Sequence, residues 1–62
     1  MSIDEDRAKV AELAATYERN HGWSRHDAIA TAAADALRDR ARGYQEMIAR
    51  LARRDLDKAQ PL

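Results

Sequence analysis

Apolar residues recur at helical spacing along nearly the whole chain. Ile3, Val10, Leu13, Ala14 and Tyr17 fall on one face of a helix with polar residues between them. This spacing predicts a first helix over about residues 4–20. A longer stripe runs Ile29, Ala33, Leu37, Ala41, Tyr44, Ile48 and Leu51, with Ala36, Met47 and Ala52 beside it. It predicts a second helix over about residues 25–58, with Pro61 as the far limit.

The junction between the stripes has the residues of a helix stop and a helix start. Asn20-His21-Gly22 ends the first helix, because glycine adopts the left-handed conformation without a Cβ clash. Ser24 is placed to cap the second helix, and Asp27 completes a shortened capping box. Trp23 precedes the cap, where its ring can fold over Ala28 or into the space between the helices. At the other end of helix 1, Asp4, Glu5 and Asp6 sit where the helix dipole favours negative charge.

The expected fold is therefore all-α, a helical hairpin whose core is Val10, Leu13, Tyr17, Trp23, Ile29, Ala33 and Leu37. Gly43 follows Arg38, Arg40 and Arg42 as a terminal glycine would, and a stop there gives three short helices. Gln45 and Glu46 resume the helical pattern at once, which favours one long helix with a weak point at Gly43. Such a helix spans ~50 Å against ~25 Å for the first. Its rear half, with Tyr44, Met47, Ile48, Leu51 and Leu56, would then be left in water beside Arg50 and Arg54. That half must pair with a second copy, pack back as a third helix or hold a different protein. Completion by dimerisation is the expectation, with these seven residues as the protein interface.

The chain has 62 residues, enough for one small helical domain, with residues 1–3 and 60–62 expected to fray. It contains no cysteine, which excludes disulfides and the common zinc sites and makes association the remaining device for stability. The acidic start, Met1-Ser2-Ile3-Asp4-Glu5-Asp6, lacks an apolar leader, and no apolar run approaches a membrane span, so a cytoplasmic location is expected. Net charge is zero, from 11 basic and 11 acidic residues. Its distribution is uneven: Asp4, Glu5, Asp6, Glu12 and Glu18 lie toward the front, and Arg38, Arg40, Arg42, Arg50, Arg53 and Arg54 toward the rear. The rear run reads as a solvated helix face with local pairs such as Glu46–Arg50, or as a basic stripe for an acidic partner or a phosphate backbone.

Catalytic chemistry finds little support. Ser24, His26 and Asp27 have the residue types of a triad, but a capping serine and successive helical positions point apart. His21, His26 and Asp27 lack a further histidine or cysteine to complete a metal site. The expectation is a non-enzymatic protein with no metal or cofactor. Ser24 and Arg25 are candidate phosphate-binding residues, since a helix start presents free N–H groups beside a hydroxyl and a cation.

The runs Val10-Ala11-Glu12-Leu13-Ala14, Gly22-Trp23-Ser24-Arg25-His26-Asp27-Ala28-Ile29 and Ala36-Leu37 resemble ribbon-helix-helix antitoxins of bacterial toxin–antitoxin pairs, over about residues 3–42. The resemblance implies an intertwined homodimer with Val10, Leu13, Ile29, Ala33 and Leu37 in a shared core. It implies that Ser24 and Arg25 hold DNA phosphates and that the rear helix engages a toxin. Only Met1-Ser2-Ile3 stands where that family has its strand, and Asp4 and Glu5 would repel DNA. The expected function is an antitoxin-like homodimer that binds a partner protein, with DNA at the start of helix 2 as a candidate second partner. The alternatives are a small all-helical inhibitor or adaptor with no DNA role, and a purely structural oligomer.

Overall fold

Three helices, α1 (Ile3–His21), α2 (Arg25–Ala36) and α3 (Arg42–Ala59), pack against one another in the computed structural model, which describes residues 2–59. Both ends of α1 are closed locally. The Ser2 hydroxyl accepts from the Glu5 backbone N–H at 3.1 Å, with Asp4, Glu5 and Asp6 in the first turn. At the far end Gly22 takes the left-handed conformation (φ 68°, ψ 22°) and its N–H bonds the Glu18 carbonyl at 3.0 Å. Ser24 caps α2 by accepting from the Asp27 N–H at 3.2 Å. Of the residues expected to fray, Ser2 and Ile3 open α1, while Met1 and residues 60–62 lie outside the described residues, as does Pro61 as a helix limit.

The expected long second helix is corrected to two. The chain leaves helical geometry at Leu37 (φ −116°, ψ 36°), turns through residues 37–41 and re-enters a helix at Arg42. The break is thus ahead of Gly43, which lies within α3. Leu37-Arg38-Asp39-Arg40-Ala41 contains neither glycine nor proline, so hydrogen bonding must hold it. The Arg40 N–H bonds the Leu37 carbonyl at 2.9 Å. The side-chain amide of Gln45 donates to the Leu37 carbonyl at 2.6 Å and to the Arg40 carbonyl at 3.2 Å. Carbonyls that a continuous helix would have paired are satisfied this way.

Burial explains why the chain turns. Folding α3 back onto α1 and α2 places Ile48 and Ala52 at 0% exposure and Leu56 at 8%, and sinks Leu37 to 1%. Each large side chain so buried is worth roughly 1.5–3 kcal/mol, more than interrupting the helix for one turn costs. The rear residues expected at a dimer interface are therefore divided by the fold. Ile48 and Leu56 belong to the chain's own core, Tyr44 and Leu51 pack half-buried against it, and Met47, Arg50 and Arg54 remain exposed. The hairpin core keeps Val10, Ile29, Ala33 and Leu37 and gains Ala14, Ala28 and Ala32, with Leu13 and Tyr17 packed at its edge. Trp23 stays 40% exposed and lies over Tyr17 and His21, with ring centroids 5.3 and 4.8 Å away, rather than in the core. The Cα radius of gyration, 10.5 Å, is that of a compact single chain of this length.

The resemblance to ribbon-helix-helix antitoxins is corrected as well. That fold requires a β-strand from each chain, and no strand occurs among the described residues. Ile3, which would close the strand, is already the first residue of α1. Val10, Ile29, Ala33 and Leu37 pack together within a single chain, with Leu13 at their edge.

The two glycines respond oppositely to substitution. Gly22→Ala meets no neighbouring atom within 4 Å but sits at φ +68°, so it is expected to lower stability by about 1 kcal/mol. Gly43→Ala has open space and ordinary helical geometry, and is expected to raise stability by about 0.5 kcal/mol. Urea unfolding of both variants checks the sign of each.

Candidate protein-binding face

The exposed side of α3 follows from how its buried side is used. Ile48, Ala52 and Leu56, at i, i+4 and i+8, face inward. The opposite side then carries Met47, Arg50, Arg53 and Arg54, all exposed, with Lys58 on the last turn. Arg50, Arg53, Arg54, Asp57 and Lys58 line an open cleft of about 470 Å³. Met47, 38% exposed, extends this surface toward the start of the helix.

The acids of the same segment are spent elsewhere. Asp55 receives both Nε and Nη2 of Arg7 in α1, at 2.9 and 2.7 Å. This pairing holds the Asp55 carboxyl below its ordinary range and raises Arg7. Asp57 takes Nη1 of Arg25 at 2.7 Å, while the same guanidinium reaches Glu18 at 3.2 and 3.4 Å. The hydrogen bonds to Asp57 and Glu18 raise Arg25. Arginines of α1 and α2 thus occupy Asp55 and Asp57, while Glu46, the remaining acid of α3, lies 3.6 Å from Arg42 of its own helix. Arg50, Arg53, Arg54 and Lys58 make no ion pair among the described residues. The folded molecule consequently presents a basic patch although its net charge is zero.

A second polar cluster joins the start of α1 to the start of α3. Asp6, 6% exposed, accepts from the Tyr44 hydroxyl and from Arg40 Nη1 at 3.1 Å. The Tyr44 bond chiefly holds the Asp6 carboxyl below its usual range; burial opposes it and Arg40 assists. Tyr44 is raised in turn, and Arg40 also lies over its ring, 5.5 Å from the centroid. On α2, Asp35 accepts from the Tyr17 hydroxyl at 2.9 Å, which raises Tyr17. These groups join helices to each other; no buried side-chain nitrogen or oxygen among the described residues lacks a partner.

The candidate phosphate residues are engaged in structure. The Ser24 hydroxyl serves its own helix as cap, and Arg25 bridges Glu18 and Asp57. Among the described residues no group of His, Cys, Asp and Glu stands close enough to hold a metal ion. No described helix is long and apolar enough to cross a membrane.

Sequence reasoning missed Asp6, Gln45 and the use of Arg7 and Arg25 as clamps. For Asp6 a signal was present: it interrupts the apolar face of helix 1 at the position between Ile3 and Val10. An acid on a buried stripe calls for a partner. Nothing comparable marks Gln45, whose role depends on a turn that only the packing of α3 creates.

Compared with protein-family models, curated proteins and solved structures, the chain matches none. The fold and surface thus define it as a small three-helix bundle with a basic outer face.

Proposed function

We propose that this chain is a non-enzymatic protein-interaction module of the adaptor or inhibitor kind, which offers the outer face of α3 to an acidic segment of a partner protein. The observation that carries this reading is the set Arg50, Arg53, Arg54 and Lys58, which make no ion pair among the described residues while Asp55 and Asp57 are held by Arg7 and Arg25. Met47 and half-buried Leu51 beside them add an apolar component that a protein surface can cover. Zero net charge and the engagement of Arg25 favour a protein over a nucleic acid as partner.

The test is a titration of isotopically labelled protein followed by amide chemical shifts. One probe is a synthetic amphipathic peptide of about 20 residues, rich in Glu and Leu; the other is a short duplex DNA at matched ionic strength. The peptide is expected to shift Met47, Arg50, Arg53 and Arg54. The double variant Arg50→Glu/Arg54→Glu is expected to weaken binding at least ~10-fold with helicity and melting temperature unchanged. Shifts from DNA on this face, with none from the peptide, would replace the protein partner by a nucleic acid.

A further inference from the structure

The outward face of α2 has a charge pattern complementary to itself. Asp27, Ala30, Thr31 and Ala34 lie on one side at helical spacing, and Arg38 follows in the turn just beyond the helix end. Asp27, Ala30, Ala34 and Arg38 are exposed. Neither the Asp27 carboxylate nor the Arg38 guanidinium forms an ion pair among the described residues. The face therefore runs acid, small side chains, base.

We propose that a second copy of this chain docks antiparallel on this face, across a two-fold axis near the middle of α2. In that arrangement Asp27 meets the partner's Arg38 and Arg38 meets the partner's Asp27, while Thr31 and Ala34 lie against each other's counterparts. A parallel pairing would oppose like charges, so the pattern selects the antiparallel one. A two-fold contact satisfies both ends with one surface. The small side chains at Ala30 and Ala34 let two helix backbones approach closely. Beside them an open groove of about 720 Å³, lined in part by Ala33, Gln45 and Ala49, gives the partner's flanking side chains somewhere to lie. With 12 residues α2 is only ~18 Å long, so the contact is small and its dimer dissociates on dilution. This contact borders the basic face of α3, since Ala30 lines one groove with Arg50 and Arg53, but the charges that pair across it, Asp27 and Arg38, are not those of that face.

Sedimentation equilibrium and translational diffusion by NMR test the proposal, from about 10 μM to about 1 mM. The wild type is expected to pass from monomer to dimer within that range. Asp27→Arg and Arg38→Asp, each alone, are expected to weaken association by about tenfold or more. Mixed in equal amounts, the two variants are expected to form a heterodimer, because each then offers the other the missing charge. The double variant Asp27→Arg/Arg38→Asp is expected to regain self-association. Circular dichroism confirms that each variant is folded, and Ala34→Glu serves as a second disruption should Asp27→Arg disturb the helix start. A wild type that stays monomeric to about 1 mM, or a mixture no more associated than its components, overturns the proposal. So does association that survives Ala34→Glu but is lost in Arg50→Glu/Arg54→Glu, which would assign the contact to α3 instead.

Discussion

Ile48→Asp is expected to abolish cooperative unfolding, while Met47→Asp, one residue earlier, leaves the thermal transition nearly unchanged. Ile48 is fully buried at the junction of α3 with the other two helices, whereas Met47 is 38% exposed on the outer side. Removing the side chain alone, as in Ile48→Ala, costs roughly 2–5 kcal/mol. A carboxylate there adds the penalty of an unpaired buried charge. A domain of this size has a total stability of only about 3–9 kcal/mol at ordinary values per residue. The loss therefore consumes most or all of it. Thermal scans by circular dichroism check the contrast. Equal tolerance at both positions would mean that α3 does not pack back, and the three-helix arrangement would fail.

The second large effect is the response to pH and to loss of Asp6. The Asp6 carboxyl is depressed below its ordinary 3.8 by the Tyr44 hydroxyl first and by Arg40 as well, and Asp55 is depressed by Arg7. A depressed carboxyl contributes stability that is present above its unfolded value and lost as pH falls through its folded value. Stability should therefore decline as pH falls below about 4. Tyr44 and Tyr17 are raised above their ordinary 10.0 because each donates to a carboxylate. Their contribution is present below the unfolded value and disappears as pH rises through the folded one, which gives a second decline above about pH 10. Asp6→Asn is expected to lower the melting temperature at neutral pH by several degrees, since it weakens what Tyr44 and Arg40 share. It should also flatten the acid limb. Tyr44→Phe should reduce the alkaline limb and leave the remainder due to Tyr17. Urea midpoints measured across the pH range check both; an acid limb as steep in Asp6→Asn as in the wild type would place its origin elsewhere.

Both glycine variants and these two effects concern how a short chain completes a core. Leu37 shows where reading a pattern stops being enough. It belongs to the apolar stripe as read from sequence, and it is buried as that reading requires. Yet it is also the residue at which the helix ends, and nothing in Leu37-Arg38-Asp39-Arg40-Ala41 marks a turn in the way Asn20-His21-Gly22 does. Local propensity favours continuing the helix; only the burial gained by bringing Ile48 and Leu56 back against α1 and α2 outweighs it. Gly43, the residue that looked like the break, follows the real one and lies inside α3.

The surface was legible in the same partial way. The concentration of arginine toward the rear of the chain is plain from the sequence, and so is the placement of Arg50 and Arg54 on one helix side. Which cations stay unpaired is not. Arg25 looked available at a helix start and is instead clamped between Glu18 and Asp57, residues 7 and 32 positions away. Arg7 reaches Asp55 across 48 positions.

Helical class, both ends of α1, the capped start of α2 and most buried positions followed from periodicity and capping, because these depend on residues within a turn or two of each other. The number of helices, the place of the second turn and the distribution of ion pairs were decided only by tertiary structure. Each depends on free energy gained between segments distant in the chain. For a chain this small, that gain is enough to override what the local sequence prefers.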